Sequence, residues 1–246
     1  MGRRTWFARV MSPEDDHNQK PLFDWAAGRP YYRALPVEQR RLEIAERTFD
    51  IATLRDAADL LDEPDFAQRF LEEDLAPHGL QLWPAAIMLA EHILQAEPGA
   101  GRKAVELGAG LALTSIAAST HGWRVTITDN DPVALRFARY NAENNNASID
   151  AYEVLDWHKP PIGRLFDRVW AADVLYQLVD QEPVLNCIDT LLAPRGLALV
   201  ADPNRKIADP FDELAQDHGF KVVLLPASAP DLQGRSVSGR IFILQR

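Results

Sequence analysis

The sequence predicts an α/β fold, namely a doubly wound, mostly parallel sheet of seven strands with a C-terminal antiparallel hairpin and an N-terminal extension. Three observations support this prediction. Short apolar segments alternate with amphipathic segments from Ala104 onward. The last two strand segments, "FKVVLLP" and "SGRIFILQR", have no helix between them. The chain has 246 residues, of which 47% are hydrophobic, and this is enough for one large core.

The alternation gives each element of the predicted sheet in turn. The predicted strands before the final pair read "AVEL", "WRVTIT", "IDAYEVL", "FDRVWAADV" and "GLALVAD". The predicted helices read "ALTSIAAST", "DPVALRFARYNAENN", "EPVLNCIDTLL" and "DPFDELAQDHG". Asp131 precedes Pro132 at the start of the second helix, so its carboxylate is expected to cap that helix.

The segments before Ala104 are expected to belong to the same domain. In "RRLEIAERTFDIATL" (Arg40–Leu54) apolar and polar residues alternate on both sides of a short polar turn, which predicts a β-hairpin. Helices are predicted over residues 65–75 and 83–95. Residues 1–39 show no periodicity and are expected to form an irregular arm, and residues 40–246 are expected to form one domain.

Composition and charge exclude several classes of protein. The formal net charge of −10 argues against nucleic acid as the main partner, because phosphate neutralisation needs a basic surface. No apolar run is long enough to span a membrane, and the N-terminus lacks the apolar core of a signal peptide. Cys187 is the single cysteine, so no internal disulfide can form and a cytoplasmic location is expected. The six histidines lack the spacing of a metal site.

The turn after the first parallel strand predicts the cofactor. "ELGAG" places Gly108, Ala109 and Gly110 between a strand and a helix, where the backbone can approach a ligand closely. A dinucleotide site would need a third glycine where Leu113 stands. Glu106 would repel a pyrophosphate, whereas it could attract the ammonium and sulfonium groups of S-adenosylmethionine (SAM). The turn therefore favours SAM over a dinucleotide, although glycine turns also occur for packing reasons.

Acidic residues end the second and third strands. Asp129 lies 19 positions after Gly110, a spacing typical of a carboxylate that binds ribose hydroxyls, although a cap or turn residue would also fit. Asn130, which follows it, is counted with the expected cofactor-binding residues. Asp156 and Trp157 fall at the end of the third strand, where they could border an adenine or simply form a loop.

Several of these segments together resemble the class I, seven-β-strand SAM-dependent methyltransferases. The matching segments are "LWPAAIMLAEHI", "VELGAGLALTSIAA", "VTITDNDPVAL", "LDW" and "DVLY". More narrowly, the chain is similar to the protein-lysine methyltransferases that include the electron-transfer-flavoprotein β-subunit enzyme, often labelled nicotinamide N-methyltransferase-like. A D-x-x-Y motif after the fourth strand, here Asp173 and Tyr176, and a Trp-Pro helix start, here Trp83-Pro84, distinguish that group.

The resemblance implies a Rossmann-like fold, SAM as cofactor and a role for each matching residue. Trp83 and the segment from Glu106 to Gly110 would surround the methionine end of SAM. Asp129 would bind the ribose, and Asp156 and Trp157 would border the adenine. Many related enzymes have glycine where this chain has Ala112, and its methyl group is expected to be tolerated if the helix has already begun there.

Asp173 and Tyr176 are the candidate catalytic residues. If a helical turn begins at Asp173, both side chains lie on one face. Asp173 would then hold an amine, and Tyr176 would form part of the wall of the channel that the amine enters. A helix cap and a core tyrosine would show the same spacing.

The predicted function is SAM-dependent N-methylation of a lysine side chain in a protein. The alternatives are methylation of a small amine or heterocycle, a SAM-binding module without turnover and, more distantly, a nicotinamide-dinucleotide oxidoreductase.

Overall fold

The structure is a computed structural model, and it describes residues 9–10, 37–54, 78–160 and 163–246. The predicted helix over residues 65–75 lies outside them. The strands are β1 (Arg9–Val10), β2 (Val37–Ile44), β3 (Arg47–Leu54), β4 (Lys103–Leu107), β5 (Arg124–Asp129), β6 (Ile149–Val154), β7 (Phe166–Ala172), β8 (Leu192–Asp202), β9 (Lys221–Pro230) and β10 (Ser236–Gln245). The α-helices are α1 (Pro84–Gln95), α2 (Leu113–Thr120), α3 (Pro132–Asn144), α4 (Leu178–Leu191) and α5 (Phe211–Asp217).

Seven strands form the main sheet in the order β6-β5-β4-β7-β8-β10-β9. The first five pair in parallel, and β10 pairs antiparallel with both β8 and β9. This confirms the predicted seven-stranded sheet and its C-terminal hairpin at one edge. The chain reverses its direction of winding between β4 and β7, so their carboxyl ends flank the crevice where open α/β sheets bind ligands.

The predicted N-terminal hairpin is confirmed as β2 and β3. Strand β2 begins at Val37, so the hairpin extends into the segment that was expected to be an irregular arm. Arg9–Val10 adds a short antiparallel strand to β2. The hairpin is fixed to α3 by Asn141, which is fully buried and exchanges hydrogen bonds with both backbone groups of Ala52. Asn145 does the same for Asp50, so side-chain amides replace a missing strand partner.

The helices cover both faces of the sheet and bury a core on each. One core joins α1, α2 and α3 to the hairpin, and the other joins α4 and α5 to the opposite face. Trp123 and Trp170 meet edge to face with ring centroids 5.4 Å apart, as expected of core residues. Cys187 is fully buried, and burial raises the pKa of its thiol to about 12, so it packs as a small hydrophobe.

The conditions on which two local expectations depended are not met. The helix after β7 begins at Leu178, so residues 173–177 lie outside it and do not form the helical turn required to place Asp173 and Tyr176 on one face. Helix α2 begins at Leu113, and Ala112 precedes it with φ of 62°. Ala112 therefore adopts a left-handed backbone conformation that favours glycine, at a cost of about 1 to 2 kcal/mol.

Candidate functional site

A cleft opens at the carboxyl ends of β4, β5 and β7, where the sheet reverses its winding. Its walls come from the segment before α1, from the turn after β4 and from the loops that follow β5, β6 and β7. Within the described chain no lysine or arginine lines the cleft. Its wall carries four carboxylates, those of Glu106, Asp129, Asp131 and Asp173. The cleft therefore suits a cationic ligand without phosphates.

The glycine turn forms the floor of the cleft, and two of its residues need to be glycine. Gly108 has φ of +61°, and a Cβ atom there would lie 3.1 Å from Val174 and 3.2 Å from the Trp157 ring. Gly110 has φ of +52°, and its Cβ would lie 2.8 Å from the carbonyl oxygen of Gly79. Atoms of the chain itself thus lie where a side chain would begin at both positions, so only glycine fits there without displacing them. Ala109 lies between them and also lines the cleft.

Glu106 lies below this turn and is almost completely buried, with 1% of its surface exposed. Its carboxylate accepts hydrogen bonds from the backbone N–H and the hydroxyl of Ser115 in the first turn of α2. Burial raises its pKa to about 7, against the opposing effect of the bonds from Ser115 and Thr114. The carboxylate thus holds α2 against the floor of the cleft while it lines the cavity.

Asp129 ends β5 at the opposite side of the floor. One carboxylate oxygen accepts the N–H of Gly110 at 2.8 Å, and the other accepts the N–H of Asp131 at 2.9 Å. Burial raises its pKa to about 6. Each oxygen keeps a further lone pair, so the side chain is held rigidly and can still accept hydrogen bonds from a ligand. Asp131 caps α3 through the N–H of Val133, as predicted.

The residues expected at the adenine end are only partly brought together. Asn130 and Trp157 line the cleft. The Asp156 side chain does not lie in the cleft wall and instead accepts the backbone N–H of His158 at 3.0 Å and pairs with Lys159. The bond from His158 lowers its pKa most. The adenine role of Asp156 stays a prediction, and the structure gives its carboxylate a place in a surface turn.

Asp173 directly follows β7 and begins the next loop in a left-handed conformation, with φ of 60°. Its N–H donates to the carbonyl of Ala201 on β8, which fixes its backbone. Arg205 donates to one carboxylate oxygen, Oδ1, from Nε at 2.8 Å and pairs with it through Nη2 at 2.7 Å. The other oxygen, Oδ2, is buried and has no hydrogen-bond partner in the described chain. Burial raises the pKa of this carboxyl and Arg205 opposes the rise.

Three rings surround the cleft beside Asp173. The His78 ring lies 5.7 Å from that of Tyr176 and 6.1 Å from that of Trp83, centroid to centroid. The indole N–H of Trp83 donates to the carbonyl of His78 at 2.8 Å. All three residues line the cleft, so Asp173 and Tyr176 share a wall without a helical turn.

Sequence reasoning missed Arg205, which contacts Asp173 from the segment after β8. Arg205 stands 32 positions from Asp173, and no motif marks it. His78 was not among the predicted site residues either; it lies six residues before Pro84, in the segment that leads to the Trp-Pro helix start.

The fold and this cleft define a class of protein. The sheet resembles that of a SAM-dependent methyltransferase from Methanosarcina mazei, with a TM-score of 0.52, 14% sequence identity and coverage of 63% of this chain and 95% of that chain. The chain thus has the Rossmann-like methyltransferase fold. Its residues 64–214 match the model of the lysine methyltransferase family, and the chain belongs to that family.

Two curated relatives show how far the similarity extends. The chain is 29% identical over 144 residues to protein-lysine N-methyltransferase rrg1 of Schizosaccharomyces pombe, covering 52% of this chain and 47% of the relative. It is 29% identical over 138 residues to the electron transfer flavoprotein beta subunit lysine methyltransferase of Danio rerio, covering 52% and 54%. This confirms the predicted resemblance, and the matches span about half the length of these relatives.

SAM is the cofactor of this family, and the cleft fits it. Gly108 and Gly110 line the cleft without side chains, so a ligand can approach their backbone closely. The wall offers carboxylates for a cation, and no lysine or arginine of the described residues lines it to bind a phosphate. Those residues also contain no cluster that could hold a metal ion, and none of their helices is long and apolar enough to cross a membrane.

Proposed function

We propose that this protein transfers a methyl group from SAM to the side-chain nitrogen of a lysine in another protein. The observation that carries the proposal is the buried Oδ2 atom of Asp173, which has no partner in the described chain and belongs to a residue lining the cleft. An unpaired buried acceptor costs free energy, and an N–H from an incoming amine would recover it. Family membership and the names of the relatives agree with this proposal.

One set of cleft residues would hold the cofactor. Bound SAM supplies an activated methyl group on a positively charged sulfur. The Gly108–Gly110 turn would allow close approach, and Glu106 below it would contribute negative charge. Asp129 would accept hydrogen bonds from ribose hydroxyls with the lone pairs that Gly110 and Asp131 leave free. Trp83 would border the methionine end, and Asn130 and Trp157 would enclose the adenosine end.

A second set would hold the acceptor. A lysine amine has a reference pKa of about 10.4, so it must lose a proton to solvent before its lone pair can attack. Asp173 would accept an N–H of the neutral amine at Oδ2 and so direct the lone pair away from itself. Tyr176, His78 and Trp83 would form an aromatic wall that favours the neutral amine over the ammonium ion. Such positioning is worth several kcal/mol of the barrier.

The surface next to the cleft supports a protein acceptor over a small molecule. Leu178 and Val179 follow the lining residue Gln177 and are 61% and 73% exposed. Ile207, 41% exposed, is joined to the same helix because Gln181 donates to its carbonyl at 2.7 Å. A polypeptide that places a lysine in the cleft would cover these apolar side chains, whereas a small amine would not reach them.

Methyl labelling in a cell lysate tests the proposal. Tritiated SAM and the purified protein are added to lysate of the source organism, and the label is followed into protein and small-molecule fractions. We expect labelled protein, with methyl-lysine found by mass spectrometry. Asp173→Asn should abolish labelling and leave SAM binding unchanged in calorimetry. Label confined to small molecules would establish the alternative acceptor, and SAM binding without any transfer would establish a binding module.

The apolar surface supplies a second variant for the same assay. Replacing both Leu178 and Val179 by serine should reduce the labelling of protein by about tenfold at limiting acceptor. Leu224→Ser, which changes an exposed leucine on the edge strand β9, is the control and should have no effect.

A further inference from the structure

Arg205 has no role in the functions described so far, yet its backbone is held on both sides. Its N–H donates to the carboxylate of Asp202 at 2.9 Å. Its carbonyl accepts a hydrogen bond from Arg240 at 3.0 Å, and Arg240 also contacts Asp202. Asp202 is completely buried at the end of β8 and faces Arg240 directly across the β8–β10 pairing. The sheet itself therefore fixes where the Arg205 side chain begins.

The side chain is aimed at one atom. Nε and Nη2 both converge on Oδ1 of Asp173, at 2.8 and 2.7 Å, and neither contacts Oδ2. A paired arginine commonly makes two parallel bonds, one to each carboxylate oxygen. Here both donors meet a single oxygen, so the second oxygen stays free. The guanidinium carbon also lies 5.7 Å from the centroid of the Trp83 ring, within the range of a cation–π contact.

We infer that Arg205 is a positioning residue that keeps Asp173 ionised and leaves its Oδ2 atom without an internal partner, so that Oδ2 can accept the N–H of the acceptor amine. This inference rests on the proposed function. Asp173 needs such a partner because 7% exposure alone would favour its neutral form. The charged groups that face it are Arg205 and His78, which favour its ionised form, and Asp202, whose charge opposes its own.

The pairing also has a consequence for the acceptor. Asp173 and Arg205 together carry no net charge, so the pair attracts a protonated lysine less than an isolated carboxylate would. Oδ2 can still accept one N–H bond from the neutral amine. The arrangement thus binds the reactive form of lysine without strongly stabilising the ammonium form, which cannot attack the methyl group.

A carboxyl titration tests the inference without any acceptor. Carbon-13 NMR of the full chain follows the Asp173 carboxyl signal, assigned by its absence in Asp173→Asn. In Arg205→Gln its pKa should rise by about one to three units, because the nearby positive charge is gone. Arg205→Lys should give a smaller rise. Arg235→Gln is the matched control, since Arg235 pairs with Asp231 at 2.7 Å in the turn before β10, and should leave Asp173 unchanged.

The pH profile of methyl transfer supplies a second reading. Protonation of the acceptor lysine lowers kcat/KM first as pH falls, and protonation of Asp173 steepens the fall at lower pH. In Arg205→Gln this second break should move to higher pH by the same shift, while the dissociation constant of SAM stays unchanged. In an Asp173→Asn background the Arg205→Gln change should have no further effect, because Arg205 acts through Asp173. An Asp173 pKa that is equal in wild type and Arg205→Gln would overturn the inference. Absence of transfer in wild type would instead refute the proposed function, and the titration would still decide about Arg205.

Discussion

At the scale of single residues, the cleft places carboxylates where burial raises their pKa values. Glu106 and Asp129 have pKa values of about 7 and about 6, and burial is the largest cause for both. A cationic ligand that replaces water beside them would favour their ionised forms. Binding of a cation should therefore lower the pKa values of both carboxyl groups. For this reason the free energy of unfolding and the affinity for the cofactor should both depend on pH.

Glu106→Gln should change how stability depends on pH. The unfolded carboxyl loses its proton near pH 4.5 and the folded one near pH 7, so the folded state holds more protons in between and stability falls as pH rises. Glutamine keeps an oxygen for Ser115 but does not ionise. The difference in free energy of unfolding between the variant and wild type should therefore shift by about 3 kcal/mol in favour of the variant as pH rises from about 4 to about 8.

Urea denaturation at several pH values measures this difference. Glu97→Gln, which changes an exposed glutamate after α1, is the control and should track wild type. The same Glu106→Gln variant should bind SAM more weakly at alkaline pH if the Glu106 charge attracts the cofactor. A variant with wild-type pH dependence would show that Glu106 is not protonated in the folded state.

Gly110→Ala should destabilise the glycine turn. The residue has positive φ, and the added Cβ would lie 2.8 Å from the carbonyl oxygen of Gly79, which cannot move without shifting the wall of the cleft. Gly219→Ala is the matched control, because Gly219 also has positive φ but nothing lies within 4 Å of its Cβ position. The control should cost about 1 to 2 kcal/mol, and Gly110→Ala should cost more and weaken SAM binding. Equal costs in denaturation would contradict the close packing of Gly110 on Gly79.

At the scale of elements, the sequence predicted the parts that follow from local periodicity. Each of the seven strands of the main sheet, the hairpin β2–β3 and helix α1 lie where alternation or helical spacing placed them. Asn146, with φ of 52°, ends the asparagine run after α3 in the left-handed conformation expected of asparagine. These features depend on neighbours within a few residues, so a single sequence contains enough information to find them.

One missed boundary is local, whereas the missed ion pair depends on contacts between distant segments. Helix α4 begins four residues before the predicted segment, since apolar spacing was read only from Glu182 onward. The contact of Arg205 with Asp173 requires β7 and β8 to be neighbours, and its anchoring by Asp202 and Arg240 requires the register of β8 on β10. Sheet register is not visible in one sequence, so the ion pair behind Asp173 could not be predicted even though the carboxylate itself was.

The hairpin and the glycine turn are joined through one helix, which gives an element-scale prediction. Asn141 bonds both backbone groups of Ala52 on β3, and it also donates to the carbonyl of Leu111 in the glycine turn at 3.2 Å. Asn141→Ala would leave these buried groups unpaired, at a cost of about 2 to 4 kcal/mol.

Hydrogen exchange measures both consequences of Asn141→Ala. Exchange should become faster at the Ala52 amide and its neighbours on β3, and SAM binding should weaken because Leu111 loses its donor. Asn144→Ala, an exposed change on the same helix, is the control. If exchange in the hairpin stays slow while stability falls, the hairpin is held by its apolar face and not by Asn141.

At the scale of the whole molecule, the winding of the sheet and the charge of the chain act together. The reversal between β4 and β7 gathers the ends of several strands into one cleft, so residues from Trp83 to Tyr176 meet there. The chain carries a formal net charge of −10, and the described wall of the cleft adds carboxylates without lysine or arginine. The negative charge of this molecule would attract a protein surface that carries lysines and so speed their encounter.

Ionic strength should therefore control the encounter with a protein acceptor. The screening length falls from about 10 Å at 0.1 M salt to about 3 Å at 1 M, which removes long-range attraction but leaves contacts inside the cleft. We expect kcat/KM for the protein acceptor to fall several-fold over this range while kcat changes little, because the attraction acts before binding. Initial rates of tritium transfer to the labelled protein, measured over a salt series, give both constants. Arg205→Gln should keep the same salt dependence at alkaline pH, since Arg205 acts inside the cleft on Asp173. A kcat/KM that is constant or rises with salt would show that apolar contacts around Leu178 and Val179 select the acceptor without help from the net charge.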